Sequence, residues 1–98
     1  MCPTSNIRLR ISTAADHPLR RLAAAGVRCS ISTDDPALFD TDLSAEYALA
    51  ATLGVPAQAA YRAALHGALC DAATRSTWPA GRRIRRDSVA VRCRELRR

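Results

Sequence analysis

Apolar side chains recur at helical spacing in three stretches of the chain, and one short β-prone run separates the first from the other two. Leu19, Leu22 and Ala23 form the first stripe, behind Asp16-His17-Pro18. Asp16 can accept from the free N–H groups of a first helical turn, and Pro18 is tolerated there. Gly26 supplies the stop. Val27-Arg28-Cys29-Ser30-Ile31-Ser32 then reads as a strand. Asp42 is the N-cap expected for a second helix carrying Leu43, Tyr47, Ala50 and Ala51 on one face, with Gly54 ending it. Pro56 starts a third, whose stripe is expected through Tyr61, Leu65, Ala68 and Leu69. Beyond Thr74 the period fades, and Trp78-Pro79-Ala80-Gly81 breaks any helix.

The order of helix, glycine, strand and acidic loop belongs to an α/β unit. Residues 1 to 7 read as a loop leaving a strand, so the chain reads as starting in mid-structure. A lone parallel-type strand leaves its backbone groups unpaired. The expectation is therefore the end of a larger domain, poorly folded by itself.

Composition sharpens this. Of 98 residues, 48% are hydrophobic, but many are alanine and only 4% are aromatic, so the core is thin for the length. All fifteen basic residues are arginine, as GC-rich coding favours. The charge is uneven: residues 75 to 98 hold nine arginines against Asp87 and Glu95, a net +7. The first 74 residues keep −1 of the chain's +6. The predicted division is a body at 1–75 and a basic, disordered tail at 76–98. Out-of-frame translation of GC-rich sequence would also give such a tail. Arginine pairs there would attract phosphates, yet the tail lacks interleaved aromatics, so a nucleic-acid partner is not favoured. Cys2, Cys29, Cys70 and Cys93 show no metal-binding spacing and follow no signal peptide, which reads as reduced thiols in the cytoplasm. No apolar run is long enough for a membrane span.

The candidate chemistry sits in Ser32-Thr33-Asp34-Asp35-Pro36. Two adjacent carboxylates follow the last strand residue, and Pro36 stops the ladder. Strand tips are where barrels of alternating strands and helices carry catalytic groups. One carboxylate can bind a divalent metal while its neighbour accepts a hydrogen bond from a substrate. The same residues also make an ordinary turn, because Asp caps turns and Pro suits a first helical turn.

Ser30-Ile31-Ser32-Thr33-Asp34-Asp35-Pro36 resembles the C-terminal signature of the adenosine deaminase family of metal-dependent hydrolases. Cys2-Pro3-Thr4-Ser5-Asn6 resembles that family's loop after its seventh strand, and His17-Pro18-Leu19 the start of the following helix. Ala37-Leu38-Phe39, Thr41-Asp42-Leu43 and Glu46-Tyr47 resemble the segment after the last strand, and Ala68-Leu69-Cys70 the end of the final helices. Ser32 stands where asparagine is common in the family. The likeness runs over residues 2 to 75, in order.

The resemblance implies an α/β fold: the C-terminal fragment of a (β/α)8 TIM barrel that binds one Zn2+ ion. It implies hydrolytic deamination of adenosine, or a related 6-aminopurine, to the 6-oxo product by zinc-bound hydroxide. Asp34 would be a metal ligand and Asp35 the purine contact. The family's histidine ligands and proton-shuttling glutamate lie on segments this sequence lacks. His17 is expected to be a partly exposed helix cap and His66 to lie on the flank of the third helix, so neither replaces them. One carboxylate cannot hold zinc. The chain alone is thus expected to be inactive, with a purine nucleoside substrate and the missing N-terminal part of the barrel as its partners. The alternative is a deaminase remnant acting as a non-catalytic binding partner or a basic nucleic-acid-associated protein.

Overall fold

The computed structural model describes residues 1 to 78, so the predicted tail falls almost entirely outside the described residues. Five helices follow one another: α1 (Pro3–Arg8), α2 (Pro18–Ala24), α3 (Leu43–Thr52), α4 (Ala57–Gly67) and α5 (Ala72–Ser76). α3 is the centre, packed against α1 and against α4.

Local chemistry explains most helix ends. Asp42 caps α3 by accepting from the Ala45 N–H at 2.8 Å, and Asp71 caps α5 by accepting from that of Thr74 at 2.7 Å. α2 and α3 both end in Schellman motifs. Gly26 and Gly54 take φ of +74° and +95°, and the next residue donates back, Val27 to the Leu22 carbonyl and Val55 to that of Ala50. Both glycines are thus held where a Cβ would be strained.

The core joins these elements. Leu19, Ile31, Tyr47, Ala50, Leu53, Val55 and Ala60 form one buried cluster, with Met1, Ala23, Cys29, Leu49, Ala57 and Tyr61 packed on it. α2, the 27–32 segment, α3 and α4 are therefore one packed unit.

Several expectations change. No strand forms among the described residues, so the α/β pattern is present only in part. The Val27–Ser32 run instead takes one step of a parallel ladder. The Met1 ammonium donates to the Ser30 carbonyl at 3.1 Å, and the Ser32 N–H donates to the Met1 carbonyl at 3.0 Å. That is the parallel pairing of one residue between two alternate partners. A single step does not make a sheet, because each strand of a parallel sheet needs neighbours along its length.

The predicted loop at residues 1 to 7 is largely α1. Pro3 sits at its first turn, and Asn6 and Leu9 donate to the Cys2 and Ser5 carbonyls. The third predicted stripe also shifts. α4 buries Ala60 and packs the partly buried Ala57 and Tyr61 against the core, whereas Ala68 is its C-cap and Leu69 lies fully exposed beyond its end. Among alanines the pattern does not single out one face; contact with α3 does.

Candidate functional site

Ile31 anchors the candidate site. Its side chain is buried in the core, while Ser30 and Ser32 on either side carry the bonds to Met1. Chain direction past Ile31 is thereby fixed, and Asp34 and Asp35 emerge from it exposed.

The two carboxylates differ. The Asp35 side chain accepts from the Leu38 N–H at 2.9 Å, and its carbonyl accepts from the Phe39 N–H at 3.0 Å. This is the turn chemistry the sequence also allows. Phe39 is buried, and Asp40 at φ +43° reverses the chain toward α3. Asp34 makes no hydrogen bond or ion pair among the described residues. The acidic pair therefore contains one carboxylate engaged locally and one directed to solvent.

Two buried polar groups hold the loops around this segment. Glu46, in the first turns of α3, is 1% exposed. One oxygen accepts from the Thr4 N–H at 3.1 Å and the other from the Thr41 hydroxyl at 3.0 Å. It ties the start of α1 to the chain that returns from the acidic turn. The burial of a carboxylate is costly unless hydrogen-bonded, and these two donors offset that cost.

His17 is the second. It is fully buried rather than partly exposed, although it is a cap: its Nδ1 accepts from the Leu19 N–H at 3.1 Å. Asp16, expected in that role, accepts instead from the backbone N–H and hydroxyl of Thr13. Those bonds lower its pKa below 3.8. Because Nδ1 accepts, the neutral ring carries its proton on Nε2, which lies 3.4 Å from the Asn6 amide nitrogen; turning that carboxamide to present its Oδ1 gives the Nε2–H its acceptor. Burial pushes the His17 pKa below 6.5, against a smaller opposing pull from Asp16. A buried, neutral ring thus joins α1 to the start of α2.

Neither Glu46 nor His17 reveals this role by spacing. Glu46 falls four residues after the α3 N-cap, where a glutamate is usually an exposed first-turn acid. Its donors lie 42 residues upstream and 5 upstream, which no periodicity reports.

His66, near the end of α4, is exposed, as its expected flank position allows. No group of three His, Cys, Asp or Glu side chains comes together to hold a metal among the described residues. The donor set here does not fit a complete zinc site: Asp34 alone is one carboxylate, and catalytic sites take three or more protein ligands. Cys2, Cys29 and Cys70 are free thiols. No helix among the described residues is long and apolar enough to cross a membrane.

Comparison with known proteins gives these features a context. The sequence profile described as adenosine deaminase matches residues 1–80. The chain is similar to an aminodeoxyfutalosine deaminase of Acidothermus cellulolyticus, at 53% identity across 81% of this chain and 25% of that protein. It is similar to adenine deaminases of Rhizobium etli, at 62% over 52% of this chain and 16% of that protein, and of Rhizobium johnstonii, at 49% over 76% and 25%. The chain spans about a quarter or less of the length of the curated relatives it matches. No solved structure matches it.

Proposed function

From the membership of this chain in the adenosine deaminase family, we propose that it contributes Asp34 and Asp35 to a site that hydrolytically deaminates a 6-aminopurine compound. The reaction class replaces the exocyclic amine with oxygen from water and releases ammonia; with adenosine the product is inosine. Asp34 serves as one metal ligand. Asp35 accepts a hydrogen bond at the purine ring, for which its carboxylate must exchange the Leu38 N–H for the substrate or share itself between them. The observation that supports this reading most is the placement of the pair. Both carboxylates are exposed immediately past a segment fixed by Ile31 and by a parallel backbone step.

The other metal ligands and the proton-transfer groups come from outside the chain, in the N-terminal part of a (β/α)8 barrel of which this is the C-terminal part. The names of the relatives set the substrates to compare: adenine, aminodeoxyfutalosine and adenosine. The free thiols fit a reducing cytoplasm.

The test is complementation. The full 98-residue chain is co-expressed with the Acidothermus cellulolyticus relative truncated to leave out the quarter that this chain matches. Ammonia release is followed with each of the three substrates. The expected result is deamination by the pair and none by either part. Asp34→Ala and Asp35→Ala in the pair abolish it. Calorimetric titration of the chain alone with zinc is expected to show no tight stoichiometric binding; a tight one-to-one isotherm would refute the shared-site reading.

A further inference from the structure

The loop between α1 and α2 walls a cleft of about 470 Å3, lined by Ile7, Arg10, Ile11, Ser12, Thr13 and Asp16. The loop is built rather than loose. α1 ends in a Schellman motif, in which Arg10 donates to the Ile7 carbonyl and Ile11 to that of Asn6, both at 3.0 Å. On its far side the Arg20 Nε donates to the Ala14 carbonyl at 3.2 Å. Arg10 thus occupies the position where helix ends favour glycine, at φ +57°. The turn alone is better served by glycine, so the arginine side chain needs another account.

That side chain is exposed, and its guanidinium has no hydrogen-bond or ion-pair partner among the described residues. Asp16 shares the cleft but does not neutralise it: its Oδ1 accepts from the N–H and hydroxyl of Thr13, and those bonds keep it ionised. The Ser12 hydroxyl is buried in the same loop without a partner. Ile7 and the exposed Ile11 give the cleft an apolar wall. One uncommitted cation beside an apolar wall fits an apolar body that ends in an anion. With Asp16 ionised in the same cleft, a singly charged carboxylate is favoured over a doubly charged phosphate.

The cleft opens on the same rim as the acidic pair. Met1 pairs in parallel with Ser30 and Ser32, so the chain leaves Met1 toward α1 in the direction in which it leaves Ser32 toward Asp34. Glu46 ties the two departures together by accepting from Thr4 at the start of α1 and from Thr41 beyond the acidic turn. We propose that this cleft is a specificity subsite, in which the Arg10 guanidinium binds a carboxylate on an apolar substituent of the 6-aminopurine substrate. The inference rests on the functional reading above and names the substrate class within it. Arg10 discriminates among substrates, while Asp34 and Asp35 serve the purine end.

The test compares three substrates on the full chain co-expressed with the truncated Acidothermus cellulolyticus relative. They are adenosine carrying a carboxyalkyl thioether on its ribose, the methyl ester of that compound, and adenosine monophosphate. The free acid is expected to have a kcat/KM about 10-fold or more above those of the ester and the phosphate. Arg10→Gly should remove that preference through KM, with kcat unchanged and the ester within about twofold. Because glycine suits the left-handed turn, the variant's Tm should equal or exceed the parent's, which separates lost recognition from lost fold. Equal rates for acid and ester, or equal losses of both in Arg10→Gly, overturn the proposal. A preference for the phosphate overturns the assignment to a carboxylate. Should the pair deaminate none of the three, the functional reading fails, and the cleft is read by titrating the full chain alone with benzoate, with benzamide as the neutral control. Saturable shifts of the Arg10 guanidinium resonances with benzoate only, absent in Arg10→Gly, then uphold the carboxylate site; no shift, or the same shift with benzamide, overturns it.

Discussion

The α3–α4 hairpin and the 27–36 segment share one core yet differ in what they leave unfinished. In the hairpin, Asp42 caps the start, Gly54 and Val55 close the Schellman turn, and Leu53, Val55 and Ala60 fill the space between the helices. Apart from the first turn of α4, which has no side-chain cap, its backbone donors are satisfied within a few residues of where they occur. The 27–36 segment buries Ile31 as firmly, but bonds along one edge only and ends in two exposed carboxylates. Helices satisfy their own hydrogen bonds, whereas a strand depends on chain brought from elsewhere. The chemically interesting residues thus sit on the part that local sequence cannot complete.

That contrast can be broken or sharpened by substitution. Leu53→Ala should have the largest effect, about 2–5 kcal/mol, because a side chain 1% exposed leaves a cavity in the shared core. It is measured as lost amide protection throughout α3 and α4. If only the 29–33 amides responded, the hairpin would not be the foundation described here.

Glu46→Ala comes next, at about 1–3 kcal/mol, because it leaves the buried Thr4 N–H without an acceptor. Glu46→Gln keeps an acceptor and should cost less. Equal losses in the two variants, by urea denaturation, would mean that Glu46 contributes packing rather than the link between loops. Among the caps, Asp42→Ala should cost about 1 kcal/mol and Asp35→Ala at most about 0.5 kcal/mol, since Asp35 stabilises an exposed turn rather than a helix. A larger loss at Asp35 would make it a structural residue first.

The smallest effect is a pH dependence. His17 has a folded pKa below its unfolded value of 6.5, so protons bind the unfolded state more readily. Its contribution is intact above 6.5 and is lost as pH falls through 6.5 toward the folded value. Asp16 and Asp71, with pKa values lowered by their hydrogen bonds, act in a separate window below 3.8 and in the same direction. His17→Asn, which keeps a capping oxygen but does not titrate, should flatten the stability profile between pH 7 and 5. An unchanged slope would place the titrating group elsewhere.

What the sequence by itself determined is the set of features written in short-range chemistry. Asp42 before an apolar stripe, Gly26 and Gly54 after one, and Pro56 at a start each act within a turn, and the structure places each as its residue type requires. The motifs across residues 2 to 75 also carried the family, because their order and spacing survive without any fold. The tertiary structure decided everything that depends on distant contacts. It turned the Pro3–Asn6 stretch into helix against α3, seated α4 on α3 through Ala57, Ala60 and Tyr61 while leaving Leu69 outside the helix and exposed, and buried His17 and Glu46. It also kept Val27–Ser32 from becoming a true strand, since β-propensity is satisfied only where neighbouring chain supplies the ladder. A helix closes on itself, and a strand or a buried carboxylate takes its identity from residues far away in sequence.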